Sequence, residues 1–512
     1  MILNRFFSLP LLIALLVSGI ARAAERPHNV LFIISDDLNN LLGCYGDPLA
    51  RTPNIDKLAA RGVRFDRAYC AFPLCGPSRN SLLTGLYPNS TGIFQNAQIF
   101  RQTIPARHSL PQAFRLAGYL STRIGKLYHY GVPRSIGTNG HDDPASWEIE
   151  INPAGVDRTA ELAVASTLRK GEFGGTPSWF ASPKEDRFHT DGMQATEAEW
   201  MLERYAKHPE RPFFLALGYF RPHTPYIAPQ SYFNFFPREQ LPIVKLDDYL
   251  ADQQDIPPPG LGSYHIDPEK FTLDLQREAL QAYYACISFM DAQVGRVVDS
   301  LDRLGLSENT VIVFTSDHGY HVGEHGLWQK MSLFEESSRV PLLIVAPGFA
   351  KNAVAPSPVS HVDLFPTLVE LCGVKAPENL QGQSLVPILK NPDEPGRGWA
   401  LTQVTRTRAG LKGGTPEALA TKRAYFGYSL RTSRYRYTEW DEGGEGSELY
   451  DHDHDPQELT NLAGQPPQAA LVAELSRQIK SALPATFPPR WKVSGNQTRP
   501  LDAQPHRSLI LL

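Results

Sequence analysis

The stretch Asn29–Ile34 (NVLFII) is an uninterrupted apolar run that ends abruptly at Asp36-Asp37. The run Thr310–Thr315 (TVIVFT) ends in the same way at Asp317-His318. Continuous apolar runs rich in β-branched residues favour strands that are buried on both faces of a sheet. Ligands of open α/β sheets bind beyond the carboxyl ends of the strands. The two runs therefore predict buried strands with a functional site where they end.

Outward from these runs, the chain alternates strand-like and amphipathic segments. Pro212–Gly218 (PFFLALG) leads into Arg221-Pro222-His223, and Pro341–Val345 is a fourth apolar run. Leu275–Leu304 repeats apolar residues at helical spacing. This alternation predicts an α/β fold, in which a central sheet is flanked by helices.

The C-terminal part of the chain has a different pattern, because Pro and Gly become frequent after Asn391. Tyr425–Thr432 and Tyr435–Trp440 predict a β-hairpin, and a helix is expected near Gln468–Leu483. We therefore expect a larger domain over residues 24–395 and a smaller α+β subdomain over residues 396–512.

Composition excludes several classes of protein. The 512 residues are 42% apolar and 20% charged, which supports a large core and excludes global disorder. Lys and Arg number 50 against 54 Asp and Glu, so no basic surface for nucleic acid is expected. Five cysteines are too few for a disulfide scaffold. Cys44 and Cys70 are candidates for one disulfide, whereas Cys286 and Cys372 are expected in the core.

The first residues resemble a targeting segment. Met1–Arg5 ends in a positive charge, Phe6–Ile20 is apolar, and Ala21-Arg22-Ala23 has the small-x-small spacing of a cleavage site. The alternative is a membrane anchor, but the apolar run is shorter than the ~20 residues of a spanning helix. We expect residues 1–23 to be a cleaved signal peptide, the protein to be secreted or periplasmic, and no stable membrane insertion.

The motif Cys75-Gly76-Pro77-Ser78-Arg79 is followed by Thr84-Gly85. A helix is predicted to begin at Ser78, and its N-terminal end together with Arg79 would favour a developing negative charge. A nucleophile at Cys75 would suit this setting.

This motif resembles the signature of the sulfatase family. The resemblance implies an alkaline-phosphatase-like sandwich, and it implies that a separate maturation enzyme oxidises Cys75 to formylglycine. One hydroxyl of the hydrated aldehyde would attack the sulfate sulfur, and the other would later expel sulfate as the carbonyl re-forms. Arg79 and a metal would make the attacking oxygen more acidic.

The two strand ends supply the candidate metal ligands, and the modified Cys75 would join them. Asp36, Asp37 and Asp317 are hard carboxylates that favour Ca²⁺, with Mg²⁺ as the alternative. Many sulfatases have Asn where this chain has His318, and the iduronate-2-sulfatase branch has His. The resemblance is therefore greatest to that branch.

Three further segments resemble sulfatase motifs and supply cationic side chains. They are Gly125–His129, Arg221–Pro225 and Gly323–Lys330. Together their candidate residues would form a pocket for a sulfate oxyanion, with His223 or Lys330 placed to protonate the leaving alcohol. The candidates are Lys126, His129, His223 and Lys330.

Two other metal-like strings are interpreted differently. His321-Val322-Gly323-Glu324-His325 matches a zinc-peptidase string that needs a continuous helix, which the glycines disfavour. Asp451–Asp455 (DHDHD) precedes Pro456 and is interpreted as a polar turn.

The expected function is hydrolysis of a sulfate ester on an acidic, iduronate- or uronate-type saccharide. The alternatives are a phosphonate or phosphodiester hydrolase that uses the same site, and a non-catalytic carbohydrate- or Ca²⁺-binding protein. Loops over residues 142–191 and 247–270 would shape the sugar subsite. The sugar, the sulfate position and exo or endo action stay open at this point.

Overall fold

A computed structural model describes residues 27–160, 163–166, 176–244, 249, 251–265, 270–408, 418–419, 421 and 424–486. The predicted signal peptide, residues 1–23, lies outside these residues. Within them, no helix is long and apolar enough to span a membrane.

An eight-stranded mixed sheet forms the centre of the molecule. In spatial order its strands are Ala353–Ala355, Val63–Phe65, Leu342–Val345, Thr310–Ser316, Asn29–Asp36, Phe213–Pro222, Leu120–Gly125 and Ile149–Ile151. Asn29–Asp36 is parallel to both of its neighbours, and Leu342–Val345 is antiparallel to both of its own. The four predicted strands are therefore confirmed, and all four belong to one sheet.

Side chains of the central strand alternate between two cores. Leu31 and Ile33 pack on one face, and Val30, Phe32 and Ile34 pack on the other. Burial on both faces explains why Val30–Ile34, the middle of the strand, is apolar throughout.

Helices cover both faces of the sheet. The first core is covered mainly by the long helix Leu273–Arg303 and by Thr190–Lys207, and the second by Leu110–Leu116 and Leu364–Cys372. The long helix was predicted at Leu275–Leu304, so its position is confirmed within two residues. The other α-helices are Pro53–Ala59, Cys75–Thr84, Pro88–Thr91, Phe100–Thr103, Val156–Thr159, Gln230–Phe233, Asp252–Asp255, Glu335–Ser338, Val386–Lys390 and Ala469–Thr486. Short 3-10 helices are Gly43–Tyr45, Pro144–Ser146, Asp186–Phe188, Arg238–Gln240, Ser307–Asn309, Glu324–Gly326, His361–Asp363, Asp441–Gly443 and Pro466–Gln468.

Three small sheets of three strands lie around the main sheet. They are formed by Tyr264–His265, Leu327–Gln329 and His321–Val322; by Arg339–Val340, Ala68–Tyr69 and Val359–Ser360; and by Ala165–Ser166, Ser178–Ser182 and Tyr226–Pro229.

The C-terminal part forms an antiparallel four-stranded sheet, and the helix Ala469–Thr486 packs on it. Its strands are Trp399–Thr407, Ala424–Thr432, Tyr435–Trp440 and Ser447–Asp451. The predicted hairpin and helix are thus confirmed. Arg436 of this sheet is buried and pairs with Glu335 and Glu458, so charged groups anchor the small sheet to the rest of the molecule.

All five cysteines lie in the described part of the chain and have free thiols. The candidate disulfide between Cys44 and Cys70 is therefore wrong. Cys286 and Cys372 are buried, as expected.

Candidate active site

The two central strand ends hold their acidic residues against each other. Ser35 is opposite Ser316 in the parallel pair, and the Asp317 amide donates to the Ser35 carbonyl at 3.2 Å. The Asp37 amide donates to Asp317 Oδ1 at 3.1 Å. The strand register therefore places Asp36, Asp37, Asp317 and His318 around one point.

The backbone at Asp37 is strained, because φ is 65° and only glycine adopts this region without steric cost. Tyr283, on the long helix, stabilises it. The Tyr283 hydroxyl donates to the Asp37 carbonyl at 2.8 Å and accepts from the Asn39 amide at 3.1 Å. Sequence reasoning missed Tyr283, because nothing near it in the chain distinguishes it from other core tyrosines.

Cys75 is the first residue of the helix Cys75–Thr84. The predicted start at Ser78 was three residues late, because Gly76 and Pro77 were interpreted as a turn, although proline is well tolerated in the first turn of a helix. Cys75 Sγ lies 3.3 Å from Lys330 Nζ and 3.4 Å from His318 Nε2.

The surroundings of Cys75 stabilise a negative charge on it. Burial raises the pKa of the thiol, but Lys330, Lys126 and His318 outweigh burial and hold the pKa well below its ordinary value. Burial lowers the pKa of His129 to about 4, although a hydrogen bond to Cys75 opposes this shift. His129 is therefore a neutral imidazole beside the thiol.

Arg79 is fully buried and binds two of the carboxylates, those of Asp36 and Asp317. Its Nε donates to Asp317 Oδ2 at 3.0 Å, one terminal nitrogen donates to Asp36 Oδ1 at 3.2 Å, and the other donates to the Lys126 carbonyl at 2.6 Å. Burial lowers the pKa of Arg79, but the neighbouring Asp317 and Asp36 raise it by more, so the pKa lies above its ordinary value. Arg79 is thus a permanent cation that fixes both carboxylates.

Two lysines bind the adjacent aspartates. Lys126 Nζ lies 2.6 Å from Asp36 Oδ2, and Lys330 Nζ lies 2.5 Å from Asp37 Oδ1. Burial raises the pKa of Asp36, but Lys126 and the nearby His223 bring it below its ordinary value. Asp36 is therefore held as an anion.

His223 and His318 both direct their Nε2 atom at the cluster. Nδ1 of His223 lies 2.5 Å from the Thr224 carbonyl, and Nδ1 of His318 lies 2.8 Å from the Gly319 carbonyl. Since a carbonyl oxygen only accepts, each Nδ1 carries the proton. Nε2 of His223 then lies 3.7 Å from Asp37 Oδ2, and Nε2 of His318 lies 3.3 Å from Asp37 Oδ1.

The cluster has a donor set suited to a cation. One ligand atom each from Asp36, Asp37, Cys75 and His223 lies within 4.8 Å of the others, and the same holds for Cys75, Asp317 and His318. Asp37 Oδ2 is buried, and among the described residues it has no hydrogen-bond partner. A buried carboxylate oxygen in this state fits a bound cation.

Every candidate site residue from the sequence lies in this one cluster. Besides Tyr283, sequence reasoning missed the contacts that fix the Cys75 helix. The Ser78 hydroxyl donates to the Asp317 carbonyl, and the Gly76 amide donates to Asn96 Oδ1 at 2.8 Å. Ser78 is part of the recognised motif, whereas Asn96 has no motif around it.

Neither rejected metal string forms a continuous α-helix. His321 lies in a strand, and His325, with a φ of 56°, interrupts the three-residue 3-10 segment Glu324–Gly326. The strand Ser447–Asp451 ends where the DHDHD string begins, and turn residues follow. The interpretations as a segment without a continuous helix and as a polar turn are confirmed.

The chain resembles known proteins over most of its length. A sequence model of the sulfatase family matches residues 28–374, and one of the C-terminal part of N-sulphoglucosamine sulphohydrolase matches residues 323–484. A phosphonate monoester hydrolase of Agrobacterium radiobacter has a similar structure, with a TM-score of 0.72 at 25% identity, covering 90% of this chain and 96% of that one.

Two relatives are similar over most of their length. A sulfatase of Formosa agariphila is 34% identical over 499 residues, covering 94% of this chain and 90% of that protein. Iduronate 2-sulfatase of Mus musculus is 31% identical over 495 residues, covering 84% of this chain and 87% of that protein. The chain therefore belongs to the sulfatase family, and it is a sulfuric ester hydrolase with the alkaline-phosphatase-like fold.

Proposed function

We propose that the chain hydrolyses a sulfate ester on an acidic, iduronate- or uronate-type saccharide, with a nucleophile made from Cys75 and a bound Ca²⁺. The observation that carries the proposal is the position of Cys75, which is buried at a helix N-terminus between Lys330 and His318. The similarity to iduronate 2-sulfatase supports a uronate substrate.

The nucleophile would be formylglycine, produced from Cys75 by a separate maturation enzyme. Its hydrated aldehyde would supply one hydroxyl to attack sulfur and a second to expel sulfate afterwards. The nearby cations Lys126 and Lys330 would stabilise the anionic charge of the sulfate and of the attacking oxygen.

Asp36, Asp37, Asp317 and His318 would hold the cation together with the modified Cys75. Three carboxylates favour Ca²⁺, or Mg²⁺, over zinc. Bound there, the ion would lower the pKa of the attacking hydroxyl and offset sulfate charge. Arg79 would keep Asp36 and Asp317 oriented for it, because it donates to both.

His223 and Lys330 are the candidate acids for the leaving sugar oxygen. His223 Nε2 and Lys330 Nζ both lie against Asp37, and His129 lies beside Cys75. We assign proton donation to His223, since Lys330 already contacts both Asp37 and Cys75 and is better placed to bind sulfate oxygens.

The remaining expectations are proposals of the same kind. Residues 1–23 would be a cleaved signal peptide, and the protein would be secreted or periplasmic. The catalytic domain would cover residues 24–395 and the subdomain 396–512, which is supported by the start of the small sheet at Trp399.

Hydrolysis of a phosphonate or phosphodiester is the second candidate, and the structural similarity to a phosphonate monoester hydrolase favours it. Rates on an aryl sulfate, an aryl phosphonate and an aryl phosphodiester would separate the two. The proposal requires the aryl sulfate to be the fastest of the three.

The sugar is tested with sulfated disaccharides that differ only in the presence of the uronate carboxylate. Faster desulfation of the uronate compound supports the proposal, and equal rates would remove the uronate from it. The Cys75→Ala variant is the control in each assay. Loss of hydrolysis in that variant separates the chain's own activity from a contaminant, and an inactive wild-type protein would favour a non-catalytic binding protein.

A further inference from the structure

Two buried histidines outside the catalytic cluster each have a ring nitrogen that lacks a partner. His321 Nε2 lies 2.6 Å from the Ser332 hydroxyl, and His325 Nδ1 lies 2.9 Å from Asp252 Oδ2. The opposite nitrogens, Nδ1 of His321 and Nε2 of His325, make no hydrogen bond to any residue that the structure describes. Both side chains are 0% exposed. Buried polar atoms almost always have a partner, so these two nitrogens indicate a ligand.

Both nitrogens lie near the Glu336 carboxylate, and His321 Nδ1 also lies 3.8 Å from Glu324 Oε2. Glu336 Oε2 lies 3.7 Å from His325 Nε2 and 4.0 Å from His321 Nδ1, and within the described ranges it too has no hydrogen-bond partner. Glu458 lies close to His325 and Glu336, but its Oε1 pairs with Arg436 and His452 and its Oε2 accepts from the Glu335 amide. Bonds of about 2.1 Å to a tetrahedral ion would separate the ligand atoms by roughly 3.4 Å. The two separations from Glu336 Oε2, 3.7 and 4.0 Å, are too long for hydrogen bonds and exceed the tetrahedral value by a few tenths of an ångström.

We propose that His321, His325 and Glu336 bind a second divalent metal ion, of the zinc class. Two imidazoles and one carboxylate suit Zn²⁺ better than Ca²⁺, which takes oxygen ligands. The Asp252 carboxylate on His325 Nδ1 is the support that metal-bound histidines usually have on their other nitrogen. This site is separate from the cluster at Asp36 and Asp37, and the proposal does not depend on the substrate.

The ion would connect the two ends of the segment that carries Lys330. His325 lies in the turn before Lys330, and Glu336 lies in the helix Glu335–Ser338 after it. His321 lies in the strand paired with Leu327–Gln329. A metal that joins these elements would fix the backbone on both sides of Lys330, so its role is structural.

Cobalt provides a direct probe, because tetrahedral Co²⁺ absorbs visible light strongly and Ca²⁺ does not absorb there. The full-length protein, kept in excess Ca²⁺, is titrated with Co²⁺. We expect one equivalent to bind with visible bands, and Zn²⁺ to displace it. Zn²⁺ should also raise the melting temperature, because a ligand of the folded state stabilises it.

The variants remove one nitrogen at a time. In His321→Gln the amide can still reach Ser332, and in His325→Asn it can still reach Asp252, while the metal-facing nitrogen is lost in each. Both variants should lose the cobalt bands and the zinc-dependent rise in melting temperature. If either fails to fold, as judged by circular dichroism, Glu336→Gln gives the same readout from a side chain that is 22% exposed.

Two controls locate the signal. His208 lies 3.4 Å from Glu210 on the surface, and His208→Gln should leave the bands unchanged. Asp37→Asn alters the catalytic cluster and should also retain them. The proposal is overturned if the wild-type protein shows no bands, if they persist in His321→Gln, or if they disappear in Asp37→Asn. In the first case the cluster is a hydrated ion pair between His325 and Glu336.

Discussion

Cys75 is surrounded by residues whose charges all act on one sulfur atom. Cys75→Ala should abolish turnover and leave the fold intact, because one atom is lost from a helix that Ser78 and Asn96 still hold. The wild-type protein, made together with the proposed formylglycine-generating enzyme, should carry an aldehyde at residue 75 in peptide mass spectra. Cys70→Ala, a buried cysteine nearby in the chain, is the matched control and should retain activity. Full activity in Cys75→Ala would contradict the assignment of the nucleophile.

His223 and Lys330 should differ in their effect on leaving groups. General acid catalysis is typically worth about 10²–10⁴-fold, and a sugar alkoxide needs the proton, whereas an activated aryl leaving group does not. His223→Ala should therefore slow a sulfated sugar far more than an aryl sulfate, and Lys330→Ala should slow both. Measuring kcat/KM of both variants on both substrates shows which of the two residues is the acid. The reverse pattern would make Lys330 the acid, and equal losses for His223→Ala would leave His223 as an oxyanion binder.

The ten candidate residues could be found from the sequence because they occur in short motifs next to strand ends. Their pairing could not be found. Lys126 and Lys330 are 204 positions apart in the chain, yet they bind the neighbouring carboxylates Asp36 and Asp37. Such pairing depends on which strands are neighbours, and a single sequence does not contain that information.

The long helix Leu273–Arg303 reaches the site through one hydroxyl. Tyr283→Phe removes the partner of the Asp37 carbonyl and of the Asn39 amide, and unsatisfied buried groups cost about 1–3 kcal/mol. We expect a lower melting temperature together with weaker Ca²⁺ binding, measured by calorimetry. Tyr284→Phe is the control, because its hydroxyl bonds to Asp47 away from the cluster. Tyr284→Phe should lower the melting temperature without weakening Ca²⁺ binding. Equal Ca²⁺ affinity in the two variants would show that Tyr283 does not orient Asp37.

Elements with long patterns were predictable, and short ones were not. Asn29–Asp36 and Leu273–Arg303 carry many residues at one period, whereas the three-residue strands Val63–Phe65 and Ala353–Ala355 carry none. The segment His321–His325 shows a further limit of prediction from sequence. Its glycines correctly excluded a helix, but a strand and a tight turn bring both histidines to Glu336, which the spacing alone does not reveal.

For the molecule as a whole, the proposed Ca²⁺ would link strands that are remote in the chain. Asp37 and Asp317 are 280 residues apart, so a cation between them would resist unfolding of the entire sheet. Chelation should lower activity and melting temperature together, as followed by differential scanning calorimetry, and Ca²⁺ should restore both. Asp317→Asn should need more Ca²⁺ for the same recovery. Active protein that contains zinc at this cluster, with neither Ca²⁺ nor Mg²⁺, would contradict the choice of ion.

The burial of Cys75 also limits the time during which its thiol can be modified. The side chain is 1% exposed once the protein is folded, and Lys330, which covers it, follows 255 residues later. Translation adds about 5–20 residues per second, so roughly 10–50 s separate the synthesis of the two residues. During that interval the thiol is accessible to solvent, and once the chain folds the thiol is buried. Folded, unconverted protein should therefore resist the proposed formylglycine-generating enzyme, whereas the same chain freshly diluted from denaturant should react, as mass spectra of the Cys75 peptide would show.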